Sequence, residues 1–381
     1  MNHVAIVLCL AASVASASCA RGLYGPSVNS PVTPAPRELD KLTVEERRAI
    51  LDRAEVWRPI DTAQLDLIAG PHMPGALPFD AVVTCQFRFP EKPLSGLTRK
   101  FECELAPDDT VKVKYGEDNG EVFAEVAATR LFWALGFAAD GMYPVKLTCL
   151  NCPADPYKAS TSEWHLGRPG NVRTQLYDPA TIERKMAGEE VAVRGYEGWS
   201  WREVESVADN SIGASRAHID ALKLLAAFVQ HVDSKPQNQA LLCVDQTITR
   251  DAEGNASCRR PLLVVKDLGS TFAAASKVTF PKMKLESWRR APVWKDGKAC
   301  RANLTSSIVG TLSHPIVSEA GRQFLAARLS LLSDRQLRDL FTAARVERWK
   351  YRTQGRPVTP DDWVQAFKEK RGQIVNHRCA T

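Results

Sequence analysis

The sequence predicts an α+β protein whose strands come early in the chain and whose helices come later. Two observations predict this class. Apolar and polar residues alternate, as in a strand with one buried face, in residues 81–85, 100–105 and 110–115. Apolar residues recur at helical spacing in residues 216–230, 318–332, 334–348 and 360–373.

Length and composition are those of an ordinary globular protein. The 381 residues are 44% hydrophobic and 25% charged, which is enough to bury one large core or two smaller ones. The formal net charge is +6 at pH 7, and Lys and Arg are spread along the chain instead of forming a block. This distribution argues against a dedicated nucleic-acid binder, so we expect no nucleic-acid partner.

The first residues have the pattern of an export signal. Residues 4–14 are apolar but too short to span a bilayer comfortably, and Ala15-x-Ala17 fits a small-residue cleavage site. We therefore expect residues 1–20 to be a signal peptide. The mature chain is then exported, periplasmic or secreted, without a transmembrane segment. A lipid anchor at Cys19 is left open as an alternative.

The next elements follow in chain order. Residues 21–78 are predicted to be a Pro-rich linker and a short helical extension, whose amphipathic helix covers residues 43–56. Three antiparallel strands then lead to a helix at 121–135. Gly136 ends this helix because glycine is favoured just after a helix terminus. Residues 143–150 are strand-like again.

Ten cysteines suit a chain that folds in an oxidising compartment. Setting aside Cys9 and Cys19 leaves an even set. Sequence neighbours suggest, as a hypothesis, the pairs Cys85–Cys103, Cys149–Cys152, Cys243–Cys258 and Cys300–Cys379. The alternative that Cys149 and Cys152 form half a zinc site or a redox pair is weaker, because no second ligand pair has suitable spacing.

The most informative motif is the octapeptide from His231 to Asn238, which follows the apolar helix at 216–230. A strand pair at 240–244 and 262–265 connects it to the tripeptide that begins at Asp267. Transfer of a phosphoryl group needs a carboxylate to orient the attacking hydroxyl and oxygen ligands to hold Mg²⁺ against the phosphates. The two motifs supply these groups from Asp233, Asn238 and Asp267.

Two other residues of the octapeptide have predicted roles. Lys235 is placed to meet the transferring γ-phosphoryl group and to offset its charge. His231 is predicted to organise the loop by hydrogen bonding, because a structural histidine is the usual outcome near an apolar helix end.

Taken together, these motifs resemble the protein kinase-like superfamily. Within it, the chain is most similar to the atypical bacterial branch that includes HipA-type toxin kinases and relatives of phosphoinositide and secretory-pathway kinases. Leu268 replaces the usual Phe, the glycine loop is reduced, and no A-P-E motif follows. The resemblance is carried by Gly96-x-x-x-Lys100, a strand with Lys114, Glu125-x-x-x-x-Arg130-Leu131, His231-x-Asp233-x-x-x-x-Asn238 and Asp267-Leu268-Gly269.

The resemblance implies a bilobal protein kinase-like fold. Its small N-lobe, an antiparallel sheet with one helix, corresponds to residues 79–150, and its larger, mainly helical C-lobe corresponds to residues 151–381. The weakly patterned segment beyond Cys152 is then expected to hold the hinge and the first C-lobe elements.

The resemblance also implies a nucleotide site in the N-lobe. One strand lysine is expected to contact the phosphates and to pair with a helix glutamate. Lys112 and Lys114 are both candidates, and Lys114 is preferred because its strand ends there. Glu125 is the preferred partner, since Glu121 is nearer the helix N-terminus, where it favours the helix dipole. Gly96 and Lys100 would belong to a loop covering the phosphates.

The function implied is that of an exported ATP-dependent phosphotransferase. It would use ATP and Mg²⁺ or Mn²⁺ to transfer the γ-phosphoryl group to a hydroxyl of a protein or small molecule. Its partners would be the nucleotide and an acceptor that the sequence does not identify. Two alternatives stay open, a catalytically silent pseudokinase scaffold and a nucleotidyl transferase on the same fold.

Overall fold

The computed structural model describes residues 44–191, 198–207, 212–244, 248–250, 256–274, 282–353 and 355–379. The predicted signal peptide, the Pro-rich stretch, Cys9 and Cys19 lie outside the described residues. Strands and helices are both extensive, so the predicted α+β class is confirmed.

The strands of the described residues are β1 Ala81–Arg88, β2 Lys100–Ala106, β3 Asp109–Tyr115, β4 Ala138–Ala139, β5 Gly141–Pro153, β6 Val172–Arg184, β7 Glu189–Glu190, β8 Gln239–Cys243, β9 Thr249–Arg250, β10 Ala256–Ser257, β11 Leu262–Val265, β12 Trp294–Asp296, β13 Arg301–Ala302, β14 Arg352–Thr353 and β15 Arg356–Pro357. The helices are α1 Val44–Leu51, α2 Glu121–Ala134, α3 Pro156–Ser160, α4 Trp201–Glu205, α5 Arg216–Val229, α6 Leu285–Arg290, α7 Glu319–Ser330, α8 Asp334–Ala343 and α9 Pro360–Val375.

Five strands close into a small barrel in the order β1-β2-β3-β6-β5. The pairs are antiparallel except for β1 with β5, which is parallel. The barrel encloses its own apolar cluster, which includes Phe101, Val113 and Ile182. β6 lies in the segment expected to hold the hinge and the first C-lobe elements. That expectation is wrong for residues 172–184, which complete the barrel instead.

Helix α2 lies between the barrel and the helical part of the chain. Almost every residue of α2 is buried, so the helix packs on all sides. On one side the Thr181 hydroxyl of β6 donates to the Val122 carbonyl (3.1 Å). On another, the ring of Phe123 lies 5.2 Å from that of Trp349. Gly136 follows with φ of 88°, as expected of a glycine that ends a helix.

A second sheet and the remaining helices form the rest of the molecule. The sheet order is β4-β11-β8-β7, and β8 and β11 form the predicted antiparallel pair. Helices α5, α7, α8 and α9 share one large apolar core with α2. Buried aromatic rings meet edge to face in this core, as for Phe228 and Trp288 (5.6 Å). The predicted helices at 216–230, 318–332 and 360–373 are confirmed within a few residues.

All four suggested cysteine pairs are disulfides in the structure. Their Cα atoms lie 5.3–5.8 Å apart, within the range that disulfides require. Disulfides persist in oxidising compartments, so the pairing is compatible with export. Within the described part of the chain, no helix is both long and apolar enough to cross a membrane.

Candidate active site

The octapeptide directly follows α5 and is fixed by backbone contacts on two sides. Gln230 ends α5 in the left-handed conformation (φ 58°), and its side chain donates to the Asn303 carbonyl (2.6 Å). The Val232 amide donates to the Ser270 carbonyl (3.2 Å), and the Ser307 amide donates to the Val232 carbonyl (2.9 Å). The segment that bears Asp233 is therefore tied by hydrogen bonds to two neighbouring segments of the chain.

Two side chains of the octapeptide contact Asp233. The Lys235 ammonium donates to Asp233 Oδ2 (3.2 Å), and the Asn238 side-chain amide donates to the Asp233 carbonyl (2.6 Å). Asp233 Oδ1 is buried without a hydrogen-bond partner among the described residues. Burial raises the pKa of Asp233, and the charge of Asp267 adds to this effect, while Lys235 opposes it. One carboxylate oxygen is thus buried and left without a hydrogen bond from the described residues.

Asp267 is brought beside the octapeptide by the β8–β11 pair. Val265 lies opposite Gln239 in this pair, and the Lys266 amide donates to the Asn238 carbonyl (2.8 Å) just beyond it. The Gly269 amide donates to Asp267 Oδ1 (3.0 Å), which orients the carboxylate. The two predicted motifs therefore meet through regular strand pairing.

The charges of several lysines act on the Asp267 carboxylate. Burial alone would raise the pKa of Asp267, but Lys114 and Lys235 together with the Gly269 amide hold it well below its usual range. Neighbouring carboxylates have the opposite effect on the pKa of Lys235. Although burial opposes it, Asp233 and Asp267 raise the pKa of Lys235. Asp267 and Lys235 are therefore both ionised at neutral pH.

Lys114 of β3 meets two glutamates of α2. Its ammonium lies 2.5 Å from Glu125 Oε2 and 3.0 Å from Glu121 Oε2, and all three side chains are buried. Burial opposes the charge, but Glu121 and Glu125 raise the pKa of Lys114 well above its usual value. Lys112 forms its ion pair with Glu183 of β6 instead. The contact expected between Lys114 and Glu125 is thus present.

Sequence reasoning missed the position of Glu121, which it assigned to the helix dipole. Glu121 accepts from the Thr98 hydroxyl (2.8 Å) and pairs with Lys282 (3.3 Å) as well as with Lys114. A Cβ on Gly269 would lie 2.7 Å from Glu121 Cγ, so the glycine backbone packs directly against this side chain. Residues four apart share a helix face. The spacing of Glu121 and Glu125 was therefore a signal that one lysine could meet both.

Gly96 and Lys100 lie together at the edge of the barrel. Gly96 has φ of 91°, and the Tyr157 hydroxyl donates to its carbonyl (3.1 Å). A Cβ on Gly96 would lie 2.9 Å from Lys100 Nζ. Burial lowers the pKa of Lys100 to about 8, and the charges of Lys112 and Lys114 add to this, while Glu121 and Asp267 oppose it.

The role predicted for His231 is wrong. Both ring nitrogens are buried, and neither has a hydrogen-bond partner in the part of the chain that the structure describes. Burial lowers the pKa of His231 to about 4, so the ring is neutral at physiological pH. It packs near Trp201, whose ring centroid is 6.4 Å away. His231 fills space behind the loop.

The other sequence-predicted site residues form one charged cluster. The charge of Asp267 shifts the pKa values of residues of the barrel, of α2 and of the octapeptide alike. Gly96 borders this cluster beside Lys100. The cluster consists of Lys100, Lys114, Glu125, Asp233, Lys235, Asn238 and Asp267.

The class defined so far is an α+β protein with a buried to half-buried cluster of lysines and carboxylates between a small barrel and a helical region. No family model and no curated protein matches this sequence. Among solved structures, the chain is similar to the Helicobacter pylori proinflammatory kinase CtkA, with 10% sequence identity and a TM-score of 0.42 over 78% of this chain and 96% of that one. Values this low assign neither a fold family nor an activity.

Proposed function

We propose that this protein is an exported ATP-dependent phosphotransferase with a bilobal, kinase-like fold, which transfers the γ-phosphoryl group to a hydroxyl of a protein or small molecule. The observation that carries the proposal is the convergence of Asp233, Lys235, Asn238 and Asp267 with the Lys114–Glu125 pair of the barrel. The four disulfides support the exported part of the proposal.

Asp233 is the residue proposed to act on the acceptor. Its Oδ1 has no partner among the described residues but is covered by surrounding atoms, so an acceptor hydroxyl would donate to it after that cover moves aside. Burial raises the pKa of the carboxyl group and so makes it a better proton acceptor than an exposed aspartate. Lys235, 3.2 Å from the other oxygen, would offset the charge that develops on the transferring group.

Asn238 and Asp267 have oxygen atoms that fit Mg²⁺ or Mn²⁺. The Asn238 amide nitrogen is used in its bond to the Asp233 carbonyl, which leaves its side-chain oxygen available. Asp267 is ionised and uses Oδ1 to accept from Gly269. A carboxylate with an amide oxygen is a donor set that hard divalent cations accept. When bound, the ion would neutralise phosphate charge.

The barrel residues are proposed to hold the nucleotide. Lys100 and Lys114 supply positive charge on one side of the cluster, and Gly96 allows a backbone to approach closely because it has no side chain. In this proposal the barrel with α2 is the N-lobe, and the helical region is the C-lobe.

Transfer from labelled ATP tests the proposal. The purified chain is incubated with ATP labelled at the γ or the α position, in the presence of Mg²⁺ or Mn²⁺. We expect label from the γ position only, in the protein itself or in an added hydroxyl acceptor. Label from the α position would instead indicate nucleotidyl transfer, and ATP binding without label would indicate a scaffold.

The variant Asp267→Ala should abolish the metal-dependent transfer. Asp361→Ala is its matched control, because Asp361 is an exposed residue in a surface ion pair with Arg338, and such pairs contribute little. If Asp267→Ala transferred label at the wild-type rate, Asp267 would not be a metal ligand and the proposed function would be contradicted.

A further inference from the structure

Two disulfides lie side by side in the barrel. They are the C-x-x-C disulfide, Cys149–Cys152, and the β1–β2 disulfide, Cys85–Cys103. Strands β1 and β5 pair in parallel, and Cys85 lies directly opposite Cys149 in their register. The sulfur atoms of Cys85, Cys103 and Cys149 all lie within 4.8 Å of one another. Spacing along the chain suggests no second cysteine pair beside the C-x-x-C, but the strand register supplies one.

This arrangement allows the two disulfides to exchange. A thiolate breaks a disulfide by attacking one of its sulfur atoms, and it forms a new disulfide with that sulfur. Neighbouring strands lie about 4.8 Å apart, and disulfides join Cα atoms about 4.4–6.8 Å apart. A crosslink between the opposed residues Cys85 and Cys149 could therefore form with little movement of the backbone.

The C-x-x-C disulfide is the easier of the two to open. The β5–β6 ladder shifts register between Cys149 and Cys152, and such an irregularity leaves residues unpaired and bends the strand. Leu150 and Asn151, which lie between the two cysteines, are exposed. The β1–β2 disulfide instead joins two strands that pair in one continuous register. A reductant from solution should therefore react with the C-x-x-C disulfide first.

The Tyr177 hydroxyl of β6 favours attack at one of the two sulfur atoms. It lies 3.7 Å from Cys152 Sγ, and it must be the donor because a disulfide sulfur carries no hydrogen. Burial raises the pKa of Tyr177 to about 12, so the hydroxyl stays protonated at neutral pH. A hydrogen bond to Cys152 stabilises that sulfur as a departing thiolate. An incoming thiolate is thereby directed to Cys149, whose sulfur is adjacent to the β1–β2 disulfide.

We infer that the C-x-x-C disulfide is a thiol–disulfide exchange site, which accepts a dithiol and passes its two electrons to the β1–β2 disulfide. The reductant is a dithiol because its second thiol can release it from a buried mixed disulfide without another molecule entering. This chemistry does not depend on the proposed function. Its consequence falls on the segment between β1 and β2, which bears Gly96 and which the β1–β2 disulfide closes into a loop.

The exchange balances in four attacks of sulfur on sulfur. A thiolate of the dithiol attacks Cys149, and Cys152 leaves as a thiolate. The second thiol of the reductant then releases Cys149, and the reductant departs as a disulfide. The Cys149 thiolate attacks Cys85, and Cys103 leaves. Cys152 finally attacks Cys149, which restores the C-x-x-C disulfide and releases Cys85. The dithiol has lost two electrons and two protons, and the β1–β2 cysteines have gained them as thiols.

Reduction of the folded full chain by dithiothreitol tests the inference. Samples are alkylated at intervals at about pH 8, where thiols are partly ionised, and mass spectrometry of the peptides gives the rate at which each cysteine becomes a thiol. In the wild type, Cys85 and Cys103 should become thiols about tenfold or more faster than in the double variant Cys149→Ser/Cys152→Ser. The reason is that a thiolate held beside its target reacts faster than one from solution.

The disulfide Cys243–Cys258 is the internal control, because Cys243 belongs to β8 of the second sheet. Each rate at the β1–β2 disulfide is divided by the rate at Cys243–Cys258 in the same sample, which corrects for any change in overall stability. Equal normalised rates in the wild type and the double variant would overturn the inference.

A trapping variant tests the order of the steps. Cys152→Ser removes the sulfur that resolves the intermediate, so part of the chains should contain a Cys85–Cys149 crosslink with Cys103 as a free thiol. Cys149→Ser is the matched control, because its free thiol, Cys152, lies outside the group of three adjacent sulfur atoms. It should keep the β1–β2 disulfide. The inference is overturned if Cys152→Ser shows no new crosslink, or if Cys149→Ser exchanges to the same extent.

Discussion

Two groups of residues meet in the candidate active site, and they are assembled differently. Asp233, Lys235 and Asn238 come from one short segment whose internal spacing sets their geometry. Lys100, Lys114 and Glu125 come from two strands and a helix, and only the strand register and the packing of α2 bring them together. The first group can be read from a motif, whereas the second depends on tertiary structure. Mutations in the first group should therefore affect turnover, whereas mutations at the buried Lys114–Glu125 pair should affect stability as well.

The largest expected effect is on turnover, at Asp233. The change Asp233→Asn removes the proton acceptor while keeping the side-chain shape, so turnover should fall about 10²- to 10⁴-fold. Initial rates with γ-labelled ATP at saturating concentration measure the effect. The thermal midpoint should move by only a few degrees, because the segment is held by its backbone. A variant that keeps more than a tenth of the wild-type turnover would contradict the assignment.

A smaller effect, on stability, is expected at Glu121. Burial opposes ionisation, but Lys114 and Lys282 lower the pKa of Glu121 to about 2 in the folded chain, from 4.5. Glu121→Gln should therefore reduce the free energy of unfolding by about 1–3 kcal/mol near neutral pH. Because the unfolded chain takes up the proton first on acidification, the difference should be full above about pH 5 and disappear as the pH falls toward 2.

Urea unfolding at a series of pH values measures this difference. Glu117→Gln is the matched control, since Glu117 is exposed just before α2 and should show no such dependence. A difference for Glu121→Gln that grows on acidification would show that Glu121 is not a stabilising carboxylate.

The smallest effect is expected for the disulfide between Cys149 and Cys152. Only three positions separate the two cysteines, and a short closed loop restricts the unfolded chain little, so the double change to Ser should cost about 2 kcal/mol or less. Nucleotide affinity should not change, because β2 and β3 set the positions of the lysines. A tenfold loss of ATP affinity in calorimetry would show that the positions of the lysines depend on this crosslink.

Sequence patterns predicted those helices and strands that bury either one continuous face or every residue. Helix α5 buries a continuous apolar face, and β11 is buried at every position, so both give a clear signal. β6 does not, because its first half is mostly exposed and its second half is mostly buried, which leaves no period of two. The contacts between lysines and glutamates were harder still to predict from the sequence. Lys112 and Lys114 differ only in which strand or helix faces them, and no local pattern carries that information.

The hydrogen bond from the Lys266 amide to the Asn238 carbonyl has a consequence for recognising distant homologues. It continues the ladder of β8 and β11, so the relative placement of the two motifs is fixed by cross-strand register and does not depend on how many amino acids connect them. The intervening hairpin can lengthen or shorten during evolution without moving either motif. A genome survey for such chains should therefore allow any gap between the H-x-D-x-x-x-x-N and D-L-G signatures, while requiring apolar strands immediately after the first and before the second.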